Sequence, residues 1–88
     1  MEVELVRSEV KRLRRSVPFQ PFIINLVGGE PAVIEHPENV AFDPRPGASS
    51  DFYVLTGSLR LFTTFKSVSS LAMLAGGEAT SNGEQVQV

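Results

Sequence analysis

The segment from Ser16 to Glu30 changes its secondary-structure pattern partway along, and this constrains the fold more than any other feature of the chain. Before this segment, apolar side chains recur at helical spacing, and after it they alternate as in a strand. Pro18 and Pro21 lie at the junction, where proline lacks the backbone N–H that a continuing helix requires. The sequence therefore predicts an α+β fold, with a short helix docked on a small antiparallel sheet.

The amino-terminal segment carries a narrow apolar stripe, at positions 3, 6, 10, 13 and 17. Spacings of three and four residues predict a helix over about residues 3–16 that packs one face on a partner surface. A helix of about four turns is marginally stable alone, so tertiary packing must hold it in place.

Beyond the junction, about five short runs between residues 20 and 74 have strand character. The first is apolar in both registers, which indicates a strand covered on both faces. Gly28–Gly29 predicts a tight turn with positive φ angles, and Gly57–Ser58 predicts a two-residue hairpin turn with glycine at its first central position. The second run, Ala32–Glu35, ends at the turn residues His36–Asn39, and a third short run resumes at Val40–Phe42.

These runs predict five antiparallel strands in one strongly bent sheet. A sheet this short cannot bury two apolar faces while staying flat, so we expect it to curl into a small half-open barrel with the helix at one end. Residues 1–75 are predicted to form a single domain. Residues 76–88 lack apolar periodicity and are predicted to be a disordered tail.

Composition excludes several classes of protein. The 88 residues include no cysteine, so disulfides and thiolate metal sites are excluded, and a reducing compartment is favoured. No apolar run approaches the roughly 20 residues that span a bilayer. The chain begins with an acidic segment that does not resemble a secretory signal. We therefore expect a cytoplasmic protein without a membrane partner.

Positive charge is concentrated in the predicted helix. Residues 1–17 hold five of the eight cationic side chains and three acidic ones, a net charge of +2, which leaves −4 on the remainder. The cations are a candidate nucleic-acid contact: Arg7, Lys11, Arg12, Arg14 and Arg15. Because no aromatic residue is interleaved with them, a solvated helix face is the favoured interpretation.

Apolar content points to self-association. Six phenylalanines and a two-faced apolar first strand exceed what a tiny monomer can bury, so a second copy or another protein is expected to cover the excess. The candidate interface residues are Val3, Val6, Val10, Leu13, Phe22, Ile24 and Phe62.

No group of residues has the composition of a catalytic or metal site. His36 is the only histidine, and it lies in a predicted turn without a nearby nucleophile or ligand set, which favours a structural role. The acidic residues Glu35, Glu38, Asp43 and Asp51 lack the ligand spacing of a calcium loop. We therefore predict no catalytic residue, no metal and no cofactor, and expect that the protein is not an enzyme.

Three segments resemble a set of small, uncharacterised bacterial proteins: Pro18–Ile24, Gly28–Gly29 and His36–Val40. The pattern in that set is Pro-Phe-x-Pro-Phe-x-Ile, a glycine turn and His-Pro-Glu, and the likeness runs from about Val17 to Leu74. Relatives tend to have a histidine and an arginine where this chain has Ser67 and Ser70, which places any function of those charged residues in doubt here.

The predicted architecture also resembles the small barrels of Sm-like proteins, which form rings and bind RNA. The Sm nucleotide-pocket residues are not matched, so only fold analogy supports that function. We expect a small protein-interaction or scaffold module that self-associates. The alternative is an Sm-like RNA-binding protein that uses the basic helix.

Overall fold

The computed structural model describes residues 2–74, so the predicted tail at 76–88 lies outside the described residues. One helix, α1 (Val3–Arg15), precedes six strands: β1 (Phe22–Leu26), β2 (Ala32–Ile34), β3 (Val40–Phe42), β4 (Asp51–Leu55), β5 (Arg60–Thr64) and β6 (Val68–Met73). Single 3-10 turns at Pro37–Asn39 and Phe65–Ser67 precede β3 and β6. The predicted α+β class is confirmed.

A capping side chain sets the start of the amino-terminal helix, and extended backbone before a proline sets its end. The Glu2 carboxylate accepts hydrogen bonds from the backbone N–H groups of Glu4 and Leu5, both at 2.9 Å, and so caps the first turn. The last helical residue is Arg15, one residue short of the predicted end, because Ser16 is already extended and Pro18 follows. No helix within residues 2–74 is long and apolar enough to cross a membrane.

The strands form two three-stranded antiparallel sheets, with orders β2-β1-β6 and β3-β4-β5. This corrects the prediction of five strands in one bent sheet, and the described strands do not close into a barrel. The turn at Pro37–Asn39 separates the second and third predicted strands, β2 and β3, as expected, but the two strands pair in different sheets. β2 pairs with β1, and β3 pairs with β4, because strand pairing is set by tertiary packing rather than by local pattern.

The helix and both sheets contribute side chains to one core. Its buried members are Val6, Val10, Leu13, Phe22, Ile24, Ala32, Ile34, Val40, Phe52, Val54, Phe65 and Val68. Phe65 lies at the aromatic centre, stacked on Phe52 at a centroid distance of 4.9 Å and edge-on to Phe42 at 5.6 Å. In the apolar stripe, Val6, Val10 and Leu13 are buried in the chain's own core rather than presented to a second copy. Val17 lies beyond the end of α1 and is 95% exposed.

The two glycine turns differ from their predictions in detail. Gly28 has a φ of 70°, but Gly29 does not share the left-handed conformation. In the β4–β5 hairpin Gly57 also lacks a positive φ. There the Thr56 hydroxyl accepts hydrogen bonds from the N–H groups of Ser58 and Leu59, at 3.2 and 3.0 Å, and closes the turn instead.

Candidate functional site

The five helix cations occupy three different environments. Arg7 is only 2% exposed and packs over the Phe65 ring, so it is not accessible to the phosphate backbone of a nucleic acid. Arg12 is exposed and pairs with Glu9 at 2.8 Å, which offsets its charge. The other three, Lys11, Arg14 and Arg15, take part in no ion pair among residues 2–74. The predicted cationic track is therefore reduced to three uncompensated charges.

Arg7 joins the helix to the loop between β3 and β4. Its Nη1 donates hydrogen bonds to the carbonyl oxygens of Asp43 (2.7 Å) and Ser49 (3.0 Å), and its Nη2 donates to that of Ala48 (2.9 Å). Nε and Nη2 also bind the Glu4 carboxylate at 3.1 Å. The hydrogen bond from Arg7 is the main cause that holds the pKa of Glu4 below its usual value. Arg7 is thus a structural residue of this loop.

The candidate interface residues are mostly internal. Val6, Val10, Leu13, Phe22 and Ile24 are buried in the chain's own core, to which α1 and β1 both contribute side chains. Val3 is half-buried at the edge of that core. Of the seven, Phe62 is the one that lies on the surface, with 67% of its side chain exposed.

Phe62 belongs to an apolar patch on the outward face of the β4–β5 hairpin. Its cross-strand partner is Tyr53, which is 40% exposed, and their ring centroids are 6.0 Å apart. Leu55 lies on the same face of β4 and is 44% exposed. Tyr53 and Leu55 were not among the predicted interface residues. Their alternation with buried Phe52 and Val54 is the sequence signal that assigns them to the outer face.

A basic pocket lies between α1 and the loop that follows β3. Its volume is about 320 Å3, and it is lined by Lys11, Arg14, Arg15, Pro37, Phe42 and Pro44. Arg14 is held in position because its Nε donates a hydrogen bond to the Pro37 carbonyl oxygen at 3.2 Å and its guanidinium lies 5.8 Å from the Phe42 ring centroid. We call its apolar lining residues (Pro37, Phe42 and Pro44) the floor and its cationic lining residues (Lys11, Arg14 and Arg15) the rim.

A wider cavity of about 680 Å3 lies between the β1–β2 turn and the β4–β5 turn. Apolar side chains such as Val33 and Leu61 line it, together with the carboxylates of Glu30 and Glu35. None of its lining side chains is buried, so the cavity does not provide the water-excluded surroundings in which catalytic groups are activated.

The remaining candidate residues are dispersed. His36 is exposed, and its backbone N–H donates to Asn39 Oδ1 at 2.9 Å. The side chains of Glu35, Glu38, Asp43 and Asp51 do not assemble, and no group of three potential metal ligands occurs within residues 2–74. Asp43 instead pairs with the Arg45 side chain, which is the main cause of a strongly lowered carboxyl pKa.

Comparison with protein-family models, with curated proteins and with solved structures returned no match to this chain. The resemblance to small bacterial proteins and to Sm-like barrels therefore stays a prediction. At one of the two serines where those proteins tend to carry charge, Ser70 Oγ accepts a hydrogen bond from Asn25 Nδ2 at 3.1 Å across β1 and β6.

Proposed function

We propose that this chain is a small, non-enzymatic interaction module, a scaffold that self-associates as a two-fold dimer through the open edge of β5. The observation that carries the proposal is the exposed Tyr53–Phe62 pair, a solvated aromatic surface at the margin of a sheet. Aromatic rings are enriched at protein interfaces, and apolar side chains that adjoin one another on the surface mark interaction sites.

The backbone of β5 also favours pairing with another strand. In an antiparallel strand, the backbone N–H and C=O groups of every second residue bond to the strand on one side. The backbone groups of the residues in between point to the other side. Hydrogen bonds from Thr56 N–H to the Leu59 carbonyl oxygen (2.8 Å) and from Phe65 N–H to the Ser50 carbonyl oxygen (2.9 Å) fix this alternation in the β4–β5 hairpin. The outward backbone groups consequently belong to Arg60, Phe62 and Thr64. Among residues 2–74 no strand pairs with this edge.

The edge is self-complementary about Phe62. In an antiparallel pair of two β5 strands centred on Phe62, the two Phe62 side chains are direct neighbours. Because Tyr53 lies beside Phe62 in each copy, the four rings form one row across the joined sheets. Arg60 then lies opposite Thr64 of the other copy rather than opposite a like charge. Asp51 neighbours Thr64 in the same sheet, so it is within reach of the long Arg60 side chain across the dimer.

The RNA-binding alternative has less support. It depends on the basic helix, where Arg7 is enclosed by the protein and Arg12 is paired with Glu9. A site that follows the phosphate backbone of RNA needs a series of accessible cations, and aromatic side chains between them add stacking with the bases.

Light scattering coupled to size exclusion, over a range of concentrations, tests the proposal on the full chain. We expect the mass to rise from 9.6 kDa to twice that value. Phe62→Ser should weaken the dimer by about tenfold or more, because it removes the aromatic ring at the centre of the interface. Val27→Ser is the matched control, because Val27 is similarly exposed (70%) and belongs to the β1–β2 turn rather than to β5. A mass that stays at 9.6 kDa up to high micromolar concentration contradicts the dimer, and a hetero-partner would then be sought.

A charge exchange tests the specific register. Arg60→Glu should weaken the dimer, because it adds a carboxylate near Asp51 of the other copy. Adding Asp51→Arg should restore the dimer, since the pair is recreated with reversed signs. Within one chain the two residues lie at opposite ends of the hairpin, so restoration cannot come from an intramolecular pair. Dimerisation unaffected by either change would overturn the β5 register.

A further inference from the structure

The basic pocket between α1 and the loop after β3 has an apolar floor and a cationic rim. Pro37, Phe42 and Pro44 supply the floor, while the rim is formed by Lys11, Arg14 and Arg15. The pocket lies on a different part of the molecule from the β5 edge, so an inference about it is independent of the proposed dimer.

The rim charges are uncompensated, and this indicates the charge of the occupant. The ion pairs among residues 2–74 involve Arg7, Arg12 and Arg45, none of which lines the pocket. Arg14 uses Nε for the Pro37 carbonyl, and its terminal Nη groups make no hydrogen bond to described residues. That fork is held by the Phe42 ring below it and can accept a carboxylate in bidentate geometry.

The floor indicates a partner with an apolar side chain rather than a nucleobase. Phe42 supplies the pocket's one aromatic ring, but the Arg14 guanidinium lies over it, and it meets the Phe65 ring edge-on. A base therefore finds no open aromatic surface on which to stack. A volume of about 320 Å3 instead suits an aliphatic side chain placed between prolines.

We propose that this pocket binds an acidic peptide segment in which an apolar residue is flanked by carboxylates. The apolar side chain contacts Pro37, Pro44 and the part of Phe42 that stays accessible beside the Arg14 guanidinium. The flanking carboxylates bind the Arg14 fork and the ammonium and guanidinium groups of Lys11 and Arg15. Charge complementarity steers the encounter, and burial of the apolar side chain gives selectivity for its type.

Fluorescence anisotropy with the full-length protein tests this proposal. The probe is a labelled peptide with the sequence Glu-Glu-Leu-Glu-Glu, compared with Glu-Glu-Ser-Glu-Glu and with a labelled ten-nucleotide oligouridine. We expect saturable binding of the leucine peptide, weaker binding of the serine peptide by roughly threefold to tenfold, and weaker binding still of the RNA. Raising the salt concentration should reduce the affinity.

Protein variants locate the site. Lys11→Gln with Arg15→Gln should weaken peptide binding by about tenfold. Arg12→Gln is the matched control, because it removes a charge from the same helix at a residue outside this pocket, and it should change affinity less than twofold. Circular dichroism checks that each variant keeps its fold.

Three results would overturn the proposal. The first is no saturable peptide binding at millimolar concentration. The second is a loss of affinity per removed charge that is as large in Arg12→Gln as in the double variant, which would indicate non-specific attraction to the helix. The third is tighter binding of oligouridine than of the leucine peptide, which would favour a nucleic-acid surface.

Discussion

The guanidinium of Arg7 lies 5.5 Å from the centroid of the buried Phe65 ring. This contact brings a permanent charge against the aromatic centre of the core. The charge is tolerated because backbone carbonyls of the 43–49 loop and the Glu4 carboxylate surround the remaining guanidinium N–H groups. Arg7 therefore links the helix, the loop and the ring in a single interaction network.

Replacing Arg7 should destabilise the protein strongly. Arg7→Ala leaves the carbonyls of Asp43, Ala48 and Ser49 without their donor, so we expect a loss of about 2–4 kcal/mol in the free energy of unfolding. Arg7→Lys should give an intermediate loss, because an ammonium cannot reproduce the planar fork. Urea denaturation measures both. Arg12→Ala is the control, expected to change stability by under about 0.5 kcal/mol; equal urea midpoints for Arg7→Ala and Arg12→Ala would contradict the role of Arg7.

Stability should fall in acid through Asp43 and Glu4. Arg45 lowers the pKa of the Asp43 carboxyl, and Arg7 lowers that of Glu4. A carboxyl whose pKa is lower in the folded state stabilises the fold fully above its unfolded pKa of about 4 and loses this effect as pH falls toward the folded value. The urea midpoint should therefore decrease below about pH 4.

An NMR titration separates the contribution of Asp43 from that of Glu4. Arg45→Gln should raise the Asp43 pKa toward its usual value and leave that of Glu4 unchanged, since Arg45 is not among the groups that shift the Glu4 pKa. Asp43→Asn should reduce the acid sensitivity of the urea midpoint. A variant as acid-sensitive as the parent would rule out Asp43 as a source of the effect.

Asn39 should be a determinant of the bend that separates the two sheets. Its Oδ1 accepts hydrogen bonds from the N–H groups of Glu35 (3.2 Å) and His36 (2.9 Å), and its Nδ2 donates to the Leu55 carbonyl oxygen at 3.0 Å. Asn39→Ala loses all three and should cost about 1–3 kcal/mol of stability. Asn39→Asp keeps both acceptor bonds, so it should cost less. The new carboxylate in Asn39→Asp cannot donate to the Leu55 carbonyl, so some loss in thermal stability is expected in both variants. A loss in Asn39→Asp larger than that in Asn39→Ala would contradict a contribution from the two acceptor bonds.

Alanine substitutions at the two glycines of the β1–β2 turn should have different effects on stability. Gly28 has a φ of 70°, where a Cβ is unfavourable, so Gly28→Ala should destabilise by about 1–2 kcal/mol. Gly29 has no positive φ, and a Cβ there meets the Leu26 Cβ at an ordinary 3.5 Å. Gly29→Ala should therefore change stability by less than about 0.5 kcal/mol. Paired urea titrations compare the two variants, and a reversed order would contradict this turn geometry.

Local sequence patterns predicted those helices and strands in which buried side chains recur at a regular spacing. The three-and-four spacing of α1 places Val6, Val10 and Leu13 on one buried face, as predicted. The sequence of the β4–β5 hairpin also contains a signal for its cross-strand aromatic pair. Tyr53 precedes Gly57 by four residues and Phe62 follows Ser58 by four, a symmetry that makes the two aromatic residues cross-strand partners.

The division into two sheets was not predicted, although the turn between β2 and β3 is visible in the sequence. The His36–Asn39 turn was identified, yet its consequence depends on which strands lie on either side of it. Asn39 reaches Leu55, which is sixteen positions away along the chain, and β2 and β3 find their pairing partners in different sheets. Such pairings are set by distant packing rather than by local propensity.

The sequence by itself determined the helix, the strand-forming runs, the turns and the concentration of positive charge near one end, because each depends on residues close together in the chain. Only the tertiary structure decided what each charge does. Arg7 is buried because carbonyls 36 to 42 positions away surround it, whereas Lys11 and Arg15, on the same helix, line an open pocket. Burial and solvation depend on these long-range contacts, and a one-dimensional pattern does not contain them.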